Sequence, residues 1–176
     1  MTGTAEDNRR VMPDPLNPTM VNGDFEEGLD ENGFAKGWYY QRQLTLEESS
    51  ASPSGEHFVQ FKNNVAGQLA QVMQGFSIDG RLVPRIKFEM SFSCADVVVG
   101  PRRNDLPVAA ISFFDEDRKE LGMHLLGPHS GSKDWLTMSK TIRVPISARE
   151  GIVRIGMFGA TGTARFDNVS IEAVKQ

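Results

Sequence analysis

The chain has 176 residues, 39% of them hydrophobic and 24% charged, with 19 basic against 23 acidic side chains and a net charge of -4. That length suits one domain with its own core, and an acid excess without a basic tract counts against nucleic acid as a partner. The apolar runs, such as Val97-Val98-Val99, are only a few residues long and fall far short of the roughly 20 residues needed to span a bilayer, which counts against a membrane partner.

Residues 1–18 are polar and carry Pro13, Pro15 and Pro18, the composition of an arm or linker laid along a surface. The first ten residues lack the apolar stretch of a secretory signal. A single folded domain is expected over 19–176. Short β-branched and aromatic segments then alternate with Gly, Pro, Asn, Asp and Ser clusters. Strands are expected near Val21 and over Trp38–Gln43, His57–Lys62, Gln68–Met73, Ile86–Cys94, Val108–Phe114, Glu120–Leu126, Leu136–Val144, Ile152–Phe158 and Ala164–Val174. Turns are expected at Ser52–Gly55, Asp79-Gly80, Asp115–Asp117, Ser130–Ser132 and Thr161–Thr163. The stretch Gly100–Asp105 reads as an exposed loop, and no internal repeat is present.

Ile86–Cys94 alternates apolar and polar residues throughout, so one face is buried and the other meets solvent or ligand. Its Cys94, the one cysteine of the chain, reads as a small buried thiol. About ten antiparallel strands without sustained helical periodicity need two sheets packed face to face, because a single sheet would leave an apolar face wet. The fold class is therefore all-β, a two-sheet antiparallel sandwich.

The two ends of the chain match. Val21-Asn22-Gly23-Asp24-Phe25-Glu26-Glu27-Gly28 with Gly37-Trp38 near the start, and Ala164-Arg165-Phe166-Asp167-Asn168-Val169 near the finish, each set a carboxylate beside an aromatic of buried type. Antiparallel β domains commonly bring first and last strands together, so the two acids can share one cation.

These segments, in order with Gln71, the strand Ile86–Cys94, Trp135 and Ile142-Arg143-Val144-Pro145, resemble the β-jelly-roll carbohydrate-binding modules of the family 4, 9, 16 and 22 type. The resemblance covers roughly 19–174. It implies a jelly roll of the galactose-binding-domain-like kind, with a convex and a concave sheet and a structural calcium ion. It also implies Glu26 and Asp167 as calcium ligands, with Asp24 and Gly55 contributing mainly backbone carbonyls. Carboxylates and carbonyls are the hard oxygen donors that calcium takes. The alternative is that Glu26 caps a turn and Asp167 pairs with a cationic side chain.

Trp38 and Trp135 occupy positions where such modules keep core residues. If Ile86, Phe88, Met90 and Phe92 point inward, Glu89 and Ser91 face out; the same phase argument turns Tyr39 and Gln41 outward against Trp38 and Tyr40, and Arg154 and Phe158 outward against Val153, Ile155 and Met157. Tyr39, Gln41, Glu89, Ser91, Arg154 and Phe158 are thus the expected ligand-binding set; the alternative for each is a solvated sheet face.

No catalytic residue stands out. His-x-His, His-Glu-x-x-His, Cys-x-x-Cys and Gly-x-Ser-x-Gly are all missing from the sequence. His57 shares the phase of Val59 and Phe61, a partly buried imidazole with its hydrogen bonds met, and His129 reads as a surface residue. The expected function is a non-catalytic module holding a carbohydrate, a poly- or oligosaccharide, on its concave sheet. Alternatives are a structural or protein-docking sandwich and a small polysaccharide lyase or glycoside hydrolase. By the same resemblance, the setting is secreted or periplasmic, beside a neighbouring catalytic domain.

Overall fold

Alternation of apolar and polar side chains, repeated along nearly every extended segment, produces the architecture. A computed structural model describes residues 13–175, and the remainder of the expected arm, residues 1–12, lies outside them. Among the described residues the strands are β1 (Tyr39–Arg42), β2 (Leu44–Glu48), β3 (His57–Asn63), β4 (Gln71–Ser77), β5 (Arg85–Val98), β6 (Val108–Phe114), β7 (Glu120–Leu126), β8 (Gly131–Arg143), β9 (Glu150–Gly156) and β10 (Thr161–Ala173). They form two antiparallel five-stranded sheets, the first in the order β1-β4-β9-β6-β7 and the second in the order β2-β3-β10-β5-β8.

In β5, Ile86, Phe88, Met90, Phe92 and Cys94 are buried, as the alternation requires. They meet Phe61 and Phe166 from β3 and β10, and Ile111, Phe113, Val153 and Ile155 from the opposing sheet, in one continuous core. Phe166 packs edge-on against both Phe61 and Phe92, with ring centroids 5.8 and 5.1 Å away. Each fully buried phenyl contributes on the order of 1.5–3 kcal/mol through burial. The turn at Asp115–Asp117 works through Asp115, whose Oδ1 accepts the amides of Asp117 and Lys119 at 3.0 and 2.9 Å.

Three expectations need correction. The segment near Val21 is not a strand but a run of turns with an isolated bridge between Leu29 and Ala35. It is held from outside itself: the Gln74 side chain accepts the Val21 amide and donates to the Val21 carbonyl, and Phe25 stacks on Trp38 in the core. The single strand expected over Trp38–Gln43 is the start of two strands in different sheets, because Tyr40 and Gln43 take φ values of 52° and 57° and break the pleat. Tyr40 is accordingly 76% exposed rather than inward. Trp135 does not belong to the core. Its neighbour Leu136 lies opposite buried Phe92, so Trp135 emerges on the outer face of the second sheet. Its indole meets Phe58 of β3 edge-on at 5.3 Å, although β5 and β10 lie between β8 and β3. The two rings therefore reach towards each other across those central strands.

Candidate functional site

The matching ends of the chain do meet. Glu26 reaches the start of β3, where its Oε1 accepts the amides of Glu56 and His57 at 2.9 and 2.8 Å and its Oε2 lies 2.9 Å from His57 Nδ1. Asp167 sits in β10 at a β-bulge that includes Asn168 with a φ of 49°. Its Oδ2 accepts the Ser52 hydroxyl at 2.9 Å and the Ser54 amide at 3.3 Å, and its Oδ1 accepts the Asn168 amide at 2.7 Å. Gly55, with a φ of 61°, closes the gap: a Cβ there would fall 2.3 Å from Glu26 Oε1. Asp24 is exposed, and its carboxylate turns back to the Glu26 amide at 3.3 Å.

The electrostatics of this pair are uneven. Asp167 is 0% exposed, and burial pushes its carboxyl up to about 6, against the hydrogen bonds from Ser52, Asn168 and Ser54 and with a further push from the Glu26 charge. The hydrogen bonds from His57 hold Glu26 below its ordinary range, and the same contact raises His57. Among the described residues no cluster of three His, Cys, Asp or Glu side chains forms, so a metal here would rest on two carboxylates completed by neutral oxygens. A buried acid destabilised in its charged form, beside a second acid and a serine hydroxyl, fits a hard divalent cation.

The expected ligand-binding residues do not form one groove. Glu89 and Ser91 belong to β5 in the second sheet, whereas Tyr39, Gln41 and Arg154 belong to β1 and β9 in the first, and Phe158 follows β9. The outer faces of a sandwich point in opposite directions, so these two sets cannot touch one ligand. Glu89 and Ser91 line a polar hollow of the second sheet with Thr19, Asp24, Thr137 and Ser170. Ser91 is spent on Thr137, 3.2 Å away. Gln41 is spent locally, accepting the Ala35 amide at 2.9 Å and donating to the Gly33 carbonyl at 3.1 Å. His129, expected at the surface, is instead half-buried against Phe92, with its Nε2 2.9 Å from Met138 Sδ.

The outer face of the first sheet is organised in two rows. Tyr39, Met73, Arg154, Ala110 and Leu125 are cross-strand neighbours in one, and Gly75, Ile152, Ser112 and Met123 in the other. Small residues leave a floor between larger ones. At one end Val108, Ala110, Met123, Leu125, Arg154 and Phe158 surround a hollow of about 290 Å³, with Asn104 and Pro128 at its wall. Sequence reasoning found Arg154 and Phe158 but missed Met123, Leu125 and Ala110. The signal was the small residues Ala110 and Ser112 on β6, which make room only when their neighbours are known. Ser52 in the carboxylate site carried no sequence signal.

No protein-family model matches the sequence, and no curated protein matches it. Solved structures do. The Family 16 Carbohydrate Binding Module-2 superposes with a TM-score of 0.60 at 15% identity, covering 89% of this chain and 99% of the module. TmCBM61 in complex with beta-1,4-galactotriose gives 0.54 at 14% identity, covering 89% and 99%. A cyclase from Fischerella sp. TAU gives 0.51 at 18% identity, covering 89% and 97%. Two longer chains match at 0.56 and 0.53, and this chain spans 21% and 28% of their lengths. A likeness at these identities fixes architecture and leaves the ligand to be argued from the site. The chain has the β-jelly-roll fold of the family 16 and family 61 carbohydrate-binding modules.

Proposed function

We propose that this chain is a carbohydrate-binding module that holds a poly- or oligosaccharide on the outer face of its first sheet, with a structural calcium ion tying Glu26 to Asp167. The observation that carries the reading is the difference between the two outer faces. The first sheet presents an open floor of Gly75, Ala110 and Ser112 bounded by Tyr39, Met123 and Phe158. The second is partly overlaid by the 19–24 segment and by the Trp135–Phe58 pair. In the proposed mode Phe158 and Tyr39 present ring faces to the apolar face of a pyranose, and Arg154 donates to its oxygens.

The module is read as non-catalytic. Glycoside hydrolysis needs two carboxylates facing each other across a cleft, and Glu150 on this face is turned towards Arg118, at 3.8 Å. We place it outside the cell, beside a catalytic domain. Calcium would be held by the Glu26 and Asp167 carboxylates with the backbone carbonyls of Asp24 and Gly55; when bound, it neutralises two acids and joins the chain's first turns to its last strand. The test is affinity electrophoresis against a panel of polysaccharides, with and without calcium. Saturable binding to one glycan class, weakened by Phe158→Ala and untouched by Glu89→Ala, is expected. Silence across the panel, with calcium present, refutes the reading.

A further inference from the structure

The hollow on the first sheet carries an electrostatic signature opposite to that of the whole chain. Arg154 stands at the centre of the face, on the middle strand β9, and among the described residues the one side-chain acceptor its guanidinium meets is the Met123 thioether, 3.4 Å away. The loop of residues 100–105 supplies Asn104 to the wall of the same hollow. It packs beside Phe158, since a Cβ on Gly100 would lie 2.3 Å from the Gly159 carbonyl oxygen. That loop carries Arg102 and Arg103, both exposed. Among the described residues none of these three arginines makes an ion pair. The nearest acid on the loop, Asp105, is engaged by the Arg102 backbone amide at 2.9 Å. Arg154 thus lines the hollow, and Arg102 and Arg103 ride on the loop that supplies its wall, none of the three in an ion pair among the described residues, in a chain whose net charge is -4.

A second feature lies on the same face. Ser112, 2% exposed, has a buried hydroxyl with no hydrogen-bond partner among the described residues, and it sits directly opposite Met123. A sulfur that weakly accepts from an arginine, next to an orphaned hydroxyl, is a poor resting arrangement for both polar groups. Methionine is unbranched and moves easily. A ligand oxygen that replaced its sulfur would satisfy Arg154.

We propose that the ligand of this site is an acidic glycan, a uronic-acid-containing poly- or oligosaccharide whose carboxylate is received by the Arg154 guanidinium. Arg102 and Arg103 draw the polyanion to the face. The guanidinium fork matches a planar carboxylate with two parallel hydrogen bonds, a match that neutral hydroxyls do not provide. Phe158, Leu125 and Val108 supply the apolar wall for the ring. This inference rests on the glycan-binding reading and adds the charge of the ligand to it.

The experiment compares titration of the full chain with an oligogalacturonate and with the same oligomer after its carboxylates are reduced to alcohols. Short soluble oligomers avoid calcium-induced gelation. The uronate form is expected to bind at least about tenfold more tightly, a difference of about 1.4 kcal/mol. That preference should shrink as salt rises. Arg154→Gln should remove it without lowering the melting temperature, and Glu89→Gln, on the opposite face, should leave it intact. Equal binding of the reduced oligomer, or tight binding of a neutral glycan only, overturns the acidic-ligand inference while the glycan-binding reading stands. Binding to dextran sulfate as tight as to the uronate, with Arg154→Gln unaffected, also overturns it in favour of unspecific polyanion adhesion. Failure of every glycan, acidic or neutral, overturns both.

Discussion

Asp167 offers the most exacting test, because its burial makes a signed prediction about pH. Its carboxyl is raised to about 6 in the folded chain, against an ordinary value near 3.8 in the unfolded one. The folded state therefore holds a proton that the unfolded state has already released between those two values, and stability falls as pH rises through that window. The full effect is a loss of up to about 3 kcal/mol, complete above about pH 6, of which about 2 kcal/mol falls between about pH 4.5 and pH 7.5. His57 adds to the same trend at its upper end: its raised value means that its pairing with Glu26 is fully present at low pH and lost as pH rises through the folded value. Glu26, which is lowered, and Asp79, held down to about 2 by Arg81, lose their contributions only in more acidic solution. Asp167→Asn isolates the term, since an amide cannot ionise. Measured by calorimetry in chelator, the melting temperature of the natural chain relative to Asp167→Asn should drop by about 4–8 °C from about pH 4.5 to pH 7.5. Calcium should abolish most of that drop, because the cation replaces the proton on the buried acid. A difference that stays constant with pH in chelator would mean that Asp167 ionises freely in the folded chain, and the physical case for a cation beside it would be lost.

Gly55→Ala sets a methyl group against Glu26 Oε1 at a backbone φ of 61°; it should cost about 1–3 kcal/mol in denaturant unfolding and blunt the calcium response of the melting temperature. Phe166→Ala removes the ring that packs against both Phe61 and Phe92, and urea unfolding should show a loss of about 3–5 kcal/mol. Trp135→Ala uncovers the outer face of the second sheet, and carboxyl NMR should then find Asp167 titrating below its buried value as water reaches it.

Much of the fold was legible because it is written in local periodicity. The bounds expected for β6 and β7 coincide with those observed, and the inward set of β5 is the one its alternation dictates. One error falls where residues leave the pleat. Tyr40 and Gln43 have no special composition, yet their left-handed φ values turn one expected strand into two. Trp135 was assigned to the core on position, whereas Leu136 lies opposite buried Phe92 and alternation turns its neighbour Trp135 outside.

At the site, the sequence by itself determined which side chains of a strand share a face, since alternation requires only the chain's own geometry. The resemblance carried by its motifs, rather than periodicity, named Glu26, Asp167 and Gly55, which the fold brings together. Only the tertiary structure decided which sheet each strand joins. Strand pairing depends on long-range hydrogen bonds and on the closure of two sheets over one core, neither of which leaves a local trace. For that reason Glu89 and Ser91 look out from one side of the sandwich and Arg154 and Phe158 from the other. Arg154 and the loop that carries Arg102 and Arg103 come to one hollow only once β9 lies between β4 and β6 and that loop folds against Gly159.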